Sequence, residues 1–372
     1  MKERKYKIDP DNPAKHLNWH STSKGVTPKS RKRTILKVCV AFLGALFFVV
    51  LGTSGAFLYL RAQGDKNLRT EVPETAESGE EVPDGLYVTY NGKKYRYNSD
   101  LINFLCLGID KELAIEEKRE SGSEGLADVV LLVSINVEKN DFRIMAIPRE
   151  TVVPVKVLDT GGNFVETQNK PITLQYAYGR SAEESCELMT EAVSNLLYKL
   201  PVQRYCAINY QALPVLNDAI GGVRLTALET VDLWDQGVFY AGEELHLLGE
   251  AALSYVRYRD ESQAGSSMGR LERQKQYVTC YMDQAKAAVK SDLTLPLRLY
   301  QSLTENMRTN VTTEDIAYLI PEVLEMNLSM ENISMVPGTT VPVGNQEEYQ
   351  VDSEALKELV IQTFYEEVET DK

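Results

Sequence analysis

From Val38 to Leu60 the chain reads VCVAFLGALFFVVLGTSGAFLYL without a charge. A helix needs about 20 predominantly apolar residues to cross a hydrocarbon core, so this run can span a bilayer. A cleaved signal peptide is the natural rival, but its apolar region usually runs only about 7 to 15 residues before a small-residue cleavage site. A buried helix of a globular core would show a polar face, and this run has none. Lys29, Arg31, Lys32, Arg33 and Lys37 crowd its N-terminal side, whereas the other side soon turns acidic. That bias predicts an N-terminus in the cytoplasm and a single-pass cell-membrane protein whose remaining chain lies outside the cell.

The predicted organisation begins with a basic cytoplasmic tail over 1–37 and a transmembrane helix over 38–60. The tail carries eleven Lys/Arg against Glu3, Asp9 and Asp11, so a whole-chain balance of -14 leaves -22 for the remainder. An exterior of that sign repels a phosphate backbone, and no nucleic-acid partner is expected. The tail reads instead as a topology signal that also touches the anionic lipid bilayer.

Residues 61–85 are acidic and poor in aromatic residues, which predicts a flexible spacer. Over 86–98, Asn91-Gly92 between two tyrosine-rich alternating runs is the strongest local signal for a β-hairpin. The chain beyond is long enough for one large α/β domain with a buried core. Its main body is placed at 99–286, and 287–372 is expected to be a helical extension of it.

Within the domain, Asn103–Leu107 reads as a buried strand ending in Gly108-Ile109-Asp110. Val129–Val137 reads as a continuous apolar strand that turns at Glu138–Asp141 and returns through Phe142–Ile147 as its hairpin neighbour. A helix starts at Ser181, with Ser181 and Glu184 as a capping-box pair and apolar residues at 188, 189, 192, 193, 196 and 197 on one face. RYCAIN reads as a strand, QALPVLNDAI as a helix and VRLTAL as a strand. Helical patterns recur after Gly269, over Thr313–Met326 and from Ser353, with a late strand at Ile333–Val336. The mixture predicts a central mixed β-sheet flanked by helices on both faces.

Five cysteines lie at no metal-like spacing and read as small buried hydrophobes. The histidines are His16, His20 and His246, so at most one lies outside the cell. That excludes a zinc site built from several histidines and disfavours a Ser-His-Asp triad. Common nucleotide-binding and serine-hydrolase motifs are absent.

What remains is carboxylates at strand ends and a group of arginines. Asp110 follows the first core strand, where an α/β sheet builds its site, and Asp128 precedes the next strand. Together they suit Mg²⁺, which accepts one or two protein oxygens and takes the rest from water and phosphate. Each alone equally fits a turn or strand cap. Arg149 ends a strand in AIPRE, Arg257 and Arg259 alternate in SYVRYRD as in a strand, and Arg270, Arg273 and Gln274 share a face at the start of a helix. Guanidinium forks gathered at one pocket repel unless an anion joins them, and phosphate is the fork-shaped ligand. Surface pairing with the abundant acids is the alternative for any one of them.

FLCLGID at 104–110, ADVVLLVSIN at 127–136, IMAIPRE at 144–150, LQYAYG at 174–179, AIGGV at 219–223, LLGEAALSYVRYR at 247–259 and GRLERQ at 269–274 resemble, in order, the motifs of the LytR-CpsA-Psr family. The resemblance implies a cell-envelope enzyme, mostly of Gram-positive bacteria. Such an enzyme transfers teichoic acid or capsular polysaccharide precursors from polyprenyl pyrophosphate carriers to peptidoglycan. It implies that Asp110 and Asp128 bind Mg²⁺, that Arg149, Arg257, Arg259, Arg270 and Gln274 hold the pyrophosphate, and that Arg149 and either Asp110 or Glu150 serve catalysis. The lipid is expected in an apolar tunnel between sheet and helices. Glu150 replaces the commoner aspartate, Pro171 and Thr173 replace a polar pair, and Ser267 replaces an acid that could orient the arginines. A non-catalytic binder of polyprenyl-linked glycan, or a regulatory protein, is the alternative of a different class.

Overall fold

A computed structural model describes residues 56–73, 84–111, 114–115, 121–122, 125–233, 236–258, 260, 266–326, 332–344 and 346–368. The chain divides into Met1–Ala56 and Phe57–Lys372, and the fold below is that of the second unit. The basic tail and all but 56–60 of the transmembrane run lie outside the described residues. Among the described residues, no helix is long and apolar enough to cross a membrane.

Helix α1 covers 56–68, β1 (Tyr87–Tyr90) and β2 (Lys93–Tyr97) form a hairpin, and β3 (Leu101–Ile109), β4 (Ala127–Asn136) and β5 (Asp141–Ala146) open the core. A hairpin of β6 (Val152–Leu158) and β7 (Phe164–Pro171) leads to a 3-10 segment (Ile172–Tyr178), α2 (Ala182–Leu196), β8 (Arg204–Asn209) and α3 (Ala212–Ala219). Short strands β9 (Val223–Thr226), β10 (Val231–Asp232), β11 (Val238–Phe239) and β12 (Glu244–Leu247) precede α4 (Glu250–Arg257) and the long α5 (Ser266–Ser291). The chain closes with α6 (Leu295–Ser302), β13 (Met307–Thr309), α7 (Thr313–Glu325), β14 (Ile333–Met335), a hairpin of β15 (Gly338–Val343) and β16 (Gln346–Val351), α8 (Ser353–Phe364) and β17 (Tyr365–Glu367).

The central sheet has the order β13-β8-β3-β4-β5-β14. It is mixed: β3 pairs antiparallel with β4 and parallel with β8, while β5 pairs antiparallel with β4 and parallel with β14. Successive side chains of a strand face opposite sides, so β3 feeds two cores. Leu101, Leu105, Leu107 and Ile109 pack with Met189 and Val193 of α2 and with Val360 and Phe364 of α8. Ile102 and Phe104 pack with Leu68 of α1 and Tyr318 of α7. A third, smaller core joins Val223 and Leu225 of β9, Leu245 and Leu247 of β12, Tyr255 and Val256 of α4, and Tyr277 of α5.

The predicted hairpin forms in register Tyr90↔Lys93, with Asn91 and Gly92 both at positive φ, as its tight turn requires. The cap of α2 is only half of the predicted box. Ser181 Oγ accepts from the Glu184 amide at 3.1 Å, but the Glu184 carboxylate accepts from Arg180 N at 2.7 Å and from the Arg180 guanidinium. The adjacent cation draws the carboxylate one residue back. The cysteines at 106, 186, 206 and 280 are free, and Cys186 is buried.

Two segment assignments change. The helical extension predicted over 287–372 contributes α6 to α8, the expected late strand as β14, and the unexpected β13, and these two strands form both edges of the central sheet. Its last strand, β17, completes a small sheet with β1 and β2. Within the flexible spacer predicted over 61–85, residues 61–73 are ordered instead: α1 runs to residue 68 and is docked. Leu68 is wholly buried, and Arg69 donates to Asp65, Asp100 and Glu138 at 2.6, 3.2 and 3.1 Å. Gly64 lies against the Glu314 carbonyl, where any Cβ would overlap it. An acidic composition hid one apolar anchor and one cation with several acidic partners. Leu68→Ala should therefore lower unfolding free energy by about 2–5 kcal/mol in urea denaturation, whereas a loose spacer would give almost no change.

Candidate active site

The candidate ligands fall into two groups, one at the ends of strands of the main core and one at the α4–α5 junction of the smaller core. Strand β3 ends at Ile109, opposite Ala127, with an irregularity in register between Gly108 and Ile109. The Asp110 amide donates to the Leu126 carbonyl at 3.0 Å, fixing the start of the loop. Its side chain is exposed. Asp128, near the start of β4, stands on the adjoining strand end.

Arg149 follows β5, and its guanidinium joins two of the predicted acids. Nη1 donates to Asp128 Oδ1 and Nε to Glu150 Oε1, both at 2.7 Å. Hydrogen bonding to Glu150 first, and then to Asp128, holds the guanidinium pKa above its usual value. The fork is still half-exposed, at 47%. Of five N–H donors two are used among the described residues, which leaves Nη2 and one Nη1 hydrogen for an anion. Glu150, although longer than the aspartate expected there, orients Arg149.

The other predicted anion ligands sit elsewhere in the fold than a strand would place them. Arg257 ends helix α4, and Tyr258 caps it, so the strand predicted at Arg257 is corrected to a helix end. The cause is local: β12 stops at Leu247, Gly249 turns at φ 50°, and Glu250-Ala251-Ala252 favour a helix. Arg257 stacks on the Tyr210 ring at 4.5 Å from its centroid. Arg259 lies outside the described residues. Arg270 is half-buried near the start of α5, and Gln274, one turn on, donates from Nε2 to the Val256 carbonyl at 3.1 Å.

Sequence reasoning grouped Arg273 with these ligands, but the structure removes it. It is 1% exposed and donates to the Tyr255 and Tyr258 carbonyls and to the carboxylate of Glu229. Glu229 was not singled out from the sequence, because its partner is 44 residues away. It brings a carboxylate to the first turns of α5, where Ser267 offers none. Lys111 was also missed: it is buried beside Asp110, and its Nζ has no hydrogen-bond partner among the described residues.

Among the described residues, no ion pair joins the Asp128–Arg149–Glu150 group to the α4–α5 group. An apolar groove of about 290 Å³ lies further along α5, lined by Met282, Ala285 and Val289 with Pro296 of α6 and Ile316 and Ile320 of α7. Its walls are all helical, in contrast to the predicted tunnel between sheet and helices. Leu319 and Val323 of α7 also line it, and both pack against the cluster that includes Ile102, Phe104 and Ile135 of the sheet.

These features define a class of α/β domain with a mixed central sheet and cationic side chains gathered at strand and helix ends. The model of the LytR_cpsA_psr family matches residues 64–364, and the chain belongs to that family. It is 24% identical over 334 residues to the polyisoprenyl-teichoic acid–peptidoglycan teichoic acid transferase TagU of Bacillus subtilis, covering 89% of this chain and 95% of that one. Its fold is similar to the crystal structure of B. subtilis TagV, with a TM-score of 0.52, 21% identity, and coverage of 70% of this chain and 96% of that chain. It is also similar to TagT bound to LIIa-WTA, with a TM-score of 0.50, 20% identity, and coverage of 71% and 89%.

Proposed function

We propose that the chain is a membrane-anchored phosphotransferase. It moves an anionic glycopolymer of the teichoic acid class from a polyprenyl pyrophosphate carrier to a peptidoglycan hydroxyl outside the cell. The observation that supports this reading is that α5 carries both candidate phosphate ligands and residues that line the apolar groove. Arg270 and Gln274 lie near its start, and Met282, Ala285 and Val289 of the apolar groove lie further along it. Arg270 to Met282 is twelve residues, or about 18 Å of helix. A pyrophosphate at the first position can thus send its lipid along one helix to the second. At about 290 Å³ the groove is at the lower limit of ligand pockets, roughly 300–1,000 Å³, so it would enclose only part of a long polyprenyl chain. The names of the teichoic acid transferases similar to this chain support the choice of polymer class.

In the reaction, the acceptor hydroxyl oxygen attacks the sugar-side phosphorus, the bridging P–O bond breaks, and polyprenyl phosphate leaves. Arg149 binds the attacked phosphoryl group through its free N–H donors while Asp128 and Glu150 hold its plane. Arg257, Arg259 and Arg270 hold the remaining oxygens, and Gln274 orients the end of α4 beside them. Glu150 is occupied by Arg149, so the exposed Asp110 would accept the hydroxyl proton through one carboxylate oxygen while the other remains for the metal. Positioning and charge neutralisation are the main demands of phosphoryl transfer.

Mg²⁺ fits the donor set. Among the described residues no group of three or more His, Cys, Asp or Glu could hold a metal. Two carboxylates on adjoining strand ends suit an ion that draws most ligands from phosphate and water. Asp110 would hold it, with Asp128 shared between the ion and Arg149. When bound, Mg²⁺ neutralises charge on the phosphate oxygens. The run Val38–Leu60 would keep this site at the outer face of the membrane, with the N-terminus in the cytoplasm.

The test is to supply the full chain, in detergent, with a lipid-pyrophosphate-linked glycopolymer, peptidoglycan and Mg²⁺. Wall-linked polymer and free polyprenyl phosphate are the expected products. EDTA should slow their release by ~100-fold or more, since a metal ion supplies several kcal/mol of charge stabilisation. A chain that retains the donor and releases no polyprenyl phosphate is a carrier, and the transferase reading then fails.

A further inference from the structure

We propose that Glu229 is a positioning residue for the pyrophosphate-binding arginines, acting through the buried guanidinium of Arg273; this rests on the phosphotransferase reading. Arg273 fastens three segments at one point. From α5, Nε donates to the Tyr255 carbonyl at 3.2 Å and Nη2 to the Tyr258 carbonyl, both at the end of α4. Nη1 donates to Glu229, which follows β9. The guanidinium also lies 5.2 Å from the Tyr258 ring centroid and 6.0 Å from that of Tyr255.

The residues fastened in this way are those that carry the candidate ligands. Arg257 lies between the two accepting residues in sequence, Gln274 follows Arg273 and reaches back to Val256, and Arg270 is one turn earlier. Carbonyls and rings accept the guanidinium's hydrogens but cannot neutralise it. A buried cation deprived of its acid reorganises toward water or another acid. Glu229 is the only carboxylate that contacts Arg273 among the described residues. Gly269 admits it, since a Cβ at that position would come within 2.8 Å of Glu229 Oε1. Glu229 itself is 46% exposed, so it fills no core, and its effect is on where the α4 and α5 ends stand relative to each other.

The experiment measures binding of geranylgeranyl pyrophosphate with Mg²⁺ to the full chain in detergent, and transfer kinetics with the polymer-linked donor, for wild type, Glu229→Ala, Glu229→Gln and Glu229→Asp. Glu229→Ala should weaken probe binding by about tenfold or more and raise KM as well as lower kcat, because misplacement by about 1 Å can cost up to a hundredfold. Glu229→Asp, which keeps the charge, should restore most of the affinity. Glu229→Gln keeps a hydrogen-bond acceptor, so it reports the charge even if the alanine variant unfolds, and it too should bind weakly. The inference is overturned if Glu229→Gln binds the probe within twofold of wild type. It is also overturned if the variants lose only maximal rate, at unchanged KM and in proportion to lost thermal stability, which is the signature of a merely structural role. Absence of probe binding by wild type would instead overturn the phosphotransferase reading.

Discussion

Arg149→Ala should reduce polymer transfer by about 10²- to 10³-fold, the usual cost of removing one preorganised donor from a developing anion. Thermal stability should hardly change. The side chain is 47% exposed, and its two ion pairs are of the exposed kind, worth about 0–1 kcal/mol each. A large kinetic effect without a stability effect is what separates a ligand-binding arginine from a surface one. Arg149→Lys sharpens the point. An ammonium keeps the charge but cannot satisfy Asp128, Glu150 and a phosphate in one plane, so most of the loss should remain. Product release from a labelled donor, followed beside a melting curve, is the measurement. Transfer by Arg149→Ala within threefold of wild type would remove Arg149 from the reaction.

How much of this was readable in the chain depends on the range over which each feature is determined. Asn91-Gly92 specifies its own turn, and the apolar run of β4 followed by a short polar break specifies its partner β5; both form as the local pattern predicts. Ser181 likewise caps α2, although Arg180 redirects Glu184. Val256-Arg257-Tyr258 misleads because so short an alternation fits a strand period and a helix end equally well, and only Gly249 and the alanines upstream decide. The edge strand β13 is three residues, too short for any period, and pairs because the sheet offers it an unpaired neighbour, whereas β14 forms at the apolar run from Ile333 that already reads as a late strand. The site divides in the same way. The pairing of Arg149 with Glu150 is adjacent in sequence, whereas Asp128 and Glu229 find their arginines 21 and 44 residues away. Arg273 was misgrouped because a helical face lists which residues point together, not which of them the next helix covers.

Since the two groups of candidate ligands rest on different cores, the site depends on contacts that keep those cores in place. On the smaller core, α4 and α5 bear Arg257, Arg270 and Gln274. On the main core, β3, β4 and the end of β5 bear Asp110, Asp128 and Arg149. Helix α3 contributes Leu213 to the smaller core and follows β8 of the central sheet directly. Under the proposed function a donor's phosphates would be held by both groups, which would make the geometry sensitive to residues that touch no ligand.

Asp315→Ala should have the largest effect on stability, about 3–5 kcal/mol, because it breaks an ion pair whose acid is wholly buried. Asp315 Oδ2 accepts from Arg204 Nε at 2.7 Å and Oδ1 from Arg204 Nη2 at 3.3 Å, a two-point grip on the first residue of β8. The same carboxylate accepts from the Thr312 amide at 2.8 Å, closing the capping box of α7. One side chain thus ties the segment after residue 287 to the central sheet and starts the helix that lines the apolar groove. Removing it leaves Arg204, only 16% exposed, without its acid and two amide or guanidinium donors without an acceptor. Against a typical domain stability of roughly 5–15 kcal/mol, that loss is a third or more of the total. Asp315→Asn, which keeps an acceptor for the cap but not the charge, should lose less. The paired change Arg204→Met with Asp315→Leu should recover much of the loss, as apolar replacements of buried pairs often do. Urea denaturation of the four proteins measures this. If Asp315→Ala unfolds at the wild-type midpoint, the pair does not hold α7 to the sheet. If it does hold α7, probe affinity should fall in Asp315→Ala at temperatures where the chain is still folded, since Ile316 and Ile320 of the groove belong to the turns that Asp315 anchors.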